Sequence, residues 1–175
     1  MKLVRFGTPG GERPGIWLEA TRKEPARIVD VRAMAYDIED YDARFWRTCG
    51  LERLRGLLRE KPPKTMPAAG VRLGPPVARP RQIVCLGKNY REHAREFDAR
   101  MPEFPVYFSK APGALCGAGD PIRLRPGMDR VDAEVELAVV IGRRARDIQE
   151  GDALSCVAGY TVFNDVTDRD LQKAR

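Results

Sequence analysis

Histidine is nearly missing from this sequence, which contains one, His93. Cysteine is sparse, and the four, at 49, 85, 116 and 156, stand far apart with no Cys-x-x-Cys pair. That spacing offers no zinc ribbon, dithiol centre or disulfide framework, so free thiols are expected. The N-terminal MKLVRFGTPGG lacks the apolar core of a signal peptide, so export is not expected and a cytoplasmic location is. No apolar run approaches the ~18 residues that suggest a membrane span, so no membrane partner is expected. The glycine-rich turn at 113–120 lacks the phosphate-loop pattern and reads as backbone crowding rather than a nucleotide cradle.

What is present suits a folded chain. Hydrophobic residues make up 43% of 175 positions, enough for a core and too many for a disordered chain. The net charge of +6 is unevenly placed. The first 80 residues carry 16 Lys and Arg against 10 Asp and Glu, and the remainder balance at 15 each. The basic half has no aromatic interleaving, so it reads as a solvated face and no nucleic-acid partner is expected.

Along the chain, residues 1–34 hold three strand candidates, KLVRF, IWLEA and ARIVDVRAM, separated by Gly-Gly and Pro-Gly turns, and predict a meander. Residues 37–60 change to helical spacing, predicting one or two helices interrupted near Cys49-Gly50, with Trp46 as a packing anchor. Residues 61–80 contain six of the fourteen prolines and predict an extended connector with a domain boundary near 78. RQIVCLG then predicts a buried strand, REHAREF one or two helical turns, and residues 106–109 a short strand. Residues 143–158 predict a charged turn and a helix with Asp152 at the cap.

The chemistry concentrates in two stretches. VDAEVELAVVIG, residues 131–142, reads as a strand ended by a glycine. Side chains alternate on a strand, so Ala133, Val135, Leu137, Val139 and Ile141 share one face, and Glu134 and Glu136 the other, with Asp132 two residues earlier. Same-face neighbours lie roughly 6.5–7 Å apart, close enough for two long carboxylates to converge on one cation. GYTVFNDVTDRDLQ, residues 159–172, is an apolar run broken at Asn164-Asp165, which puts Asp165 where a strand stops. Two Glu and one Asp form a hard, all-oxygen donor set suited to Mg²⁺, Mn²⁺ or Ca²⁺. The plain alternatives are a solvated sheet face for the glutamates and an ordinary turn for Asn-Asp.

Taken with the upstream CLGKNYREHARE (85–96) and the intervening GALCGAGDPI (113–122), these stretches resemble the fumarylacetoacetate hydrolase family, over about residues 81–172. The resemblance implies an α+β fold: a small N-terminal mixed domain over 1–78, then a partial mixed β-sandwich roll over 79–175. It implies that Glu134, Glu136 and Asp165 bind the catalytic divalent ion, Mg²⁺ or Mn²⁺. It implies that His93, helped by Glu96, activates water, which suits an imidazole titrating near neutrality beside a carboxylate. Arg169 and Gln172 match the positions that meet substrate oxygens. The plain alternative for Arg169 is a pair with Asp165 or Asp168. The family pattern continues past residue 175 with a lysine, further strands and much of a homodimer surface. The resemblance implies that this C-terminal part is missing here or supplied by another chain.

The expected activity is metal-dependent hydrolysis of a C–C bond in a 1,3-dicarbonyl or 2-oxo acid of catabolism, on a small carboxylate substrate. Decarboxylation, isomerisation or lyase chemistry on the same scaffold is the alternative, as is a non-catalytic subunit acting by association. A basic binding module is a third reading, and it requires salt-dependent retention on nucleic acid.

Overall fold

The computed structural model describes residues 1–60, 63–92 and 102–174. The chain divides into two compact units, residues 1–43 with 61–119, and residues 44–60 with 120–175. Residue 78, where a boundary is expected from the prolines, lies within the first unit.

The first unit is built on an antiparallel sheet. Strands β1 (Lys2–Phe6), β2 (Arg13–Leu18) and β3 (Arg27–Asp30) form the predicted meander. Strands β4 (Thr65–Pro67) and β5 (Leu73–Gly74) complete the order β4-β3-β2-β1-β5. The predicted connector thus supplies both edges of the sheet. Proline is tolerated there because an edge strand has one row of donors that no neighbour needs. Both faces of the meander are covered: Phe6 and Ile28 are buried on one, Ile16 and Val29 on the other. Gly15 makes that packing possible: a Cβ there would meet the Phe6 ring and Ile28 Cγ2 at 2.9 Å. The Tyr41 hydroxyl donates to the Gly15 carbonyl at 2.8 Å, so its polar end is satisfied inside the core. Burial pushes the Tyr41 phenol far above its usual range, and the Asp40 charge adds to this.

A charged cluster braces one end of this sheet. Arg5, largely buried, grips Asp40 with two hydrogen bonds, Nε to Oδ1 at 2.7 Å and Nη2 to Oδ2 at 2.8 Å. Glu12 accepts from Arg72 at 2.9 Å and lies 3.5 Å from Arg5. Such forked pairs satisfy charges that would be costly to bury alone.

Later in the same unit, β6 (Ile83–Gly87) and β7 (Val106–Lys110) form a two-stranded antiparallel pair. The strand expected to be buried at 81–87 is half open: Val84 is 60% exposed. A pair of strands covers neither of its own faces, so an apolar run does not ensure burial. The predicted turns of REHAREF, with His93 and Glu96, lie outside the described residues.

In the second unit, α1 (Ala43–Arg47) and α2 (Gly50–Glu60) are interrupted as expected. Cys49 takes a left-handed φ of 53°, and a Cβ on Gly50 would meet the Phe45 ring at 2.3 Å. Trp46 packs edge-on against Phe45, ring centroids 4.8 Å apart. The stretch expected as one strand over 131–142 is two, β8 (Val131–Asp132) and β9 (Val135–Ile141). β9 pairs antiparallel with β10 (Val157–Asn164), and β8 with β11 (Thr167–Asp168), which leads into α3 (Arg169–Lys173). Between β9 and β10 the helix expected with Asp152 as cap is a 3₁₀ segment, Glu150–Cys156. Its cap position is Gln149, which makes no side-chain capping bond to fix an α-helical first turn. Among the described residues no helix is long and apolar enough to cross a membrane. A few short helices with several sheets give the α+β class that the sequence predicts.

Candidate functional site

The crossing of β8, β9, β10 and β11 gathers the residues singled out in the sequence. The β9–β10 register sets Glu136 opposite Phe163. Carried two residues on, it sets Glu134 opposite Asp165, and the Asp165 N–H donates to the Glu134 carbonyl at 2.8 Å. The Asn164 side chain accepts from the Glu134 N–H at 3.1 Å. The break between β8 and β9 is therefore held from the opposite segment. The exposed face of the pair carries Val135, Leu137, Val139, Ile141, Tyr160 and Val162. Glu134, Glu136 and Phe163 occupy the other, half-buried face, and Asp165 beside them is only 4% exposed.

Arg169 is the hub of this face. Its Nε donates to Asp132 Oδ2 at 2.7 Å, its Nη2 to Glu134 Oε1, and its Nη1 to Gln172 Oε1 at 3.1 Å. Thr167 Oγ1 donates to the second Glu134 oxygen, Oε2, at 3.2 Å. The hydrogen bond to Asp132, with the Glu134 bond and both negative charges, raises the Arg169 pKa above its ordinary value against the opposing effect of burial. The guanidinium thus stays charged at any working pH.

The local sequence explains the placement. Asp168 caps α3, accepting from the N–H groups of Asp170 and Leu171, each at 3.1 Å. With Asp168 committed to the cap, Arg169 turns to β8 and the β8–β9 break, where Asp132 and Glu134 wait. The plain alternative weighed in the sequence, a pair with Asp165 or Asp168, gives way to this one. Gln172 is one helical turn on and meets Arg169 from there, as positions three apart on a helix do.

Glu134, Glu136, Asp165, Arg169 and Gln172 thus share one corner of the fold, while His93 and Glu96 lie outside the described residues. Sequence reasoning missed Asp132 and Thr167 as partners of the site. Asp132 had a readable signal, its two-residue spacing from Glu134. Thr167 had only its position between Asp165 and Arg169.

Among the described residues no three His, Cys, Asp or Glu side chains are gathered so that they could hold a metal ion. Both Glu134 carboxylate oxygens already accept hydrogen bonds, from Arg169 and Thr167. The donor chemistry still fits a hard divalent cation: carboxylate oxygens only, on one sheltered face, from two segments pinned together by backbone hydrogen bonds.

The sequence has relatives. Over 177 aligned residues it is 37% identical to a Burkholderia cenocepacia protein whose name calls it a hydrolase. The alignment takes in all of this chain and 58% of that one, so the chain spans little more than half the length of such relatives. Its fold is similar to that of the fumarylacetoacetate hydrolase from Exiguobacterium antarcticum, with a TM-score of 0.74, 33% identity, and coverage of 99% and 58% of the two chains. It is similar also to maleylpyruvate hydrolase from Sphingobium sp. SYK-6, solved with manganese(II) and pyruvate, at TM-score 0.74 and 28% identity, covering 97% and 60%. The 5-carboxymethyl-2-hydroxymuconate delta-isomerase of Mycobacterium smegmatis matches at TM-score 0.69 and 29% identity, covering 99% and 57%. Residues 82–175 match the fumarylacetoacetate hydrolase C-terminal family, and that stretch contains every residue of the corner just described. The chain belongs to the fumarylacetoacetate hydrolase family.

Proposed function

We propose that this chain is the metal-binding portion of a catabolic hydrolase that cleaves a C–C bond in a 1,3-dicarbonyl or 2-oxo acid, working as a homodimer. The observation that carries the reading is the sheltered corner where Glu134 and Asp165 are tied backbone to backbone at 2.8 Å beside Arg169 and Gln172. The hydrolase from Sphingobium sp. SYK-6, bound to manganese and pyruvate, supports both the ion and the substrate class.

In this reading Glu134, Glu136 and Asp165 hold Mg²⁺ or Mn²⁺. A divalent ion there supplies Lewis-acid polarisation of a carbonyl oxygen. The chain's own residues do the rest. Arg169 and Gln172 hold the substrate carboxylate and carbonyl oxygens, a task suited to a planar guanidinium. His93, oriented by Glu96, takes a proton from water as the water oxygen adds to the distal carbonyl carbon. The bond from that carbon to its neighbour then breaks. The electron pair stays on the neighbour as the enolate of a 2-oxo acid, which takes up a proton on release. Neither nucleic acid nor membrane has a part in this chemistry.

The similarity to an isomerase supports a second reading, in which the same corner shifts a double bond in a 2-oxo acid without adding water. Incubation with an acylpyruvate and Mn²⁺ separates the two, because hydrolysis releases pyruvate and a second acid whereas isomerisation conserves mass. The hydrolase reading expects pyruvate release to fall at least ~100-fold in His93→Ala, the usual weight of a general base. Release at an undiminished rate in that variant contradicts it.

A further inference from the structure

Every nitrogen of the Arg169 guanidinium is already engaged by the protein, and two of its partners are carboxylates of different kinds. Glu134 is one of the residues read above as a metal ligand. Asp132, more exposed, belongs to β8 and has no part in that ligand set. A divalent cation and Arg169 therefore seek the same Glu134 oxygen, Oε1.

We propose that Arg169 is an internal counter-charge that the metal must displace from Glu134, and that Asp132 is the positioning residue that keeps the displaced guanidinium at the site. The inference rests on the metal reading given above and adds what this chain's own residues do before the ion arrives. Asp132 and Glu134 carry like charge, and a guanidinium lying between them relieves their repulsion. When an ion takes Glu134, the Nη2 donor is set free. The bond from Nε to Asp132 at 2.7 Å holds the group in place, so the freed edge faces the site rather than solvent. Metal binding then creates the carboxylate-binding edge, and substrate acids bind after the ion rather than before it.

A Lys at 169 would serve less well. Its three donors sit on one nitrogen, whereas Arg169 reaches Asp132 and Glu134 from two nitrogens fixed in a plane. The bridging geometry thus gives a reason for arginine at this position apart from its contact with substrate.

The test is calorimetric titration of Mn²⁺ into the full chain and its variants, with no substrate present. Arg169→Gln removes the competing cation and is expected to tighten Mn²⁺ binding by about tenfold or more. Arg169→Lys keeps a charge and a fold-supporting contact, and is expected to tighten it by a smaller factor. Asp132→Asn leaves the guanidinium leaning wholly on Glu134 and is expected to weaken binding several-fold. Combined with Arg169→Gln, the Asp132 change is expected to add less than about threefold, because it acts through the arginine. If Arg169→Gln and Arg169→Lys weaken Mn²⁺ binding while Glu134→Gln abolishes it, the metal reading stands, Arg169 is a support for Glu134, and the proposal fails. If Glu134→Gln binds Mn²⁺ as the unaltered chain does, the metal reading itself fails and takes the proposal with it.

Discussion

The N-terminal sheet and the β9–β10 pair follow the same two-residue alternation to opposite ends. In the sheet apolar side chains are covered on both faces, and the neighbours Ile28 and Val29 are each 0% exposed. In the β9–β10 pair the apolar side chains face out, with Leu137 61% and Val162 76% exposed, and the carboxylates take the sheltered side. Periodicity therefore assigns side chains to faces but does not say which face is covered. In the first unit both faces are covered by apolar packing. In the second the covered face is the place where charge meets charge.

The comparison can be broken by substitution. The largest effect is expected at Ile28→Ala, which should cost about 2–5 kcal/mol through lost burial and a cavity. Leu137→Ala, the same kind of truncation on the open face, should stay within about 0.5 kcal/mol. Urea unfolding of the two variants checks this, and equal losses would erase the distinction. Next is the charged brace. Arg5→Ala strips the guanidinium from Asp40 and leaves Glu12 with Arg72 alone, and should cost about 3 kcal/mol, since the Asp40 carboxylate loses its charged partner. A smaller loss is expected at Asp168→Ala, where a lost cap on α3 should cost about 1 kcal/mol. That loss should come with a weaker hold of Arg169 on Glu134, visible as a changed Mn²⁺ affinity.

Acid sharpens the same contrast. Burial pushes the Glu12 carboxyl up, but the hydrogen bond from Arg72, its own backbone, and the Arg5 and Arg72 charges outweigh that. Its pKa ends below the ordinary 4.5. The unfolded chain then binds the proton first, so Glu12 contributes stability above the ordinary value, and that contribution is lost as pH falls through the lower native one. Denaturation midpoints of the chain and of Glu12→Gln should converge as pH drops from about 7 towards about 3.

The sequence made some of this readable and concealed the rest. The meander, the break at Cys49-Gly50 and the end of a strand at Asp165 followed from turn residues and alternation, which act locally. So did the shared face of Glu134 and Glu136, which alternation sets opposite the exposed Val135 and Leu137. The edge strands β4 and β5 were hidden because short edges leave almost no periodic pattern, and their prolines argued for a connector. The break between β8 and β9 was hidden because it depends on the Asn164 side chain reaching across to the Glu134 N–H. The choice of Arg169 between four nearby acids was hidden too. It turns on Asp168 being committed to the helix cap, which is a matter of three-dimensional competition rather than spacing.

The central proposal is that Glu134, Glu136 and Asp165, at the end of the β9–β10 pair, form one divalent-cation site. Titration of Mn²⁺ followed by electron paramagnetic resonance tests it most directly, on the full chain and on Asp165→Asn, with circular dichroism to verify that both are folded. The account predicts one tightly bound Mn²⁺ per chain, lost in the folded Asp165→Asn variant. Equal Mn²⁺ binding by the two would contradict it.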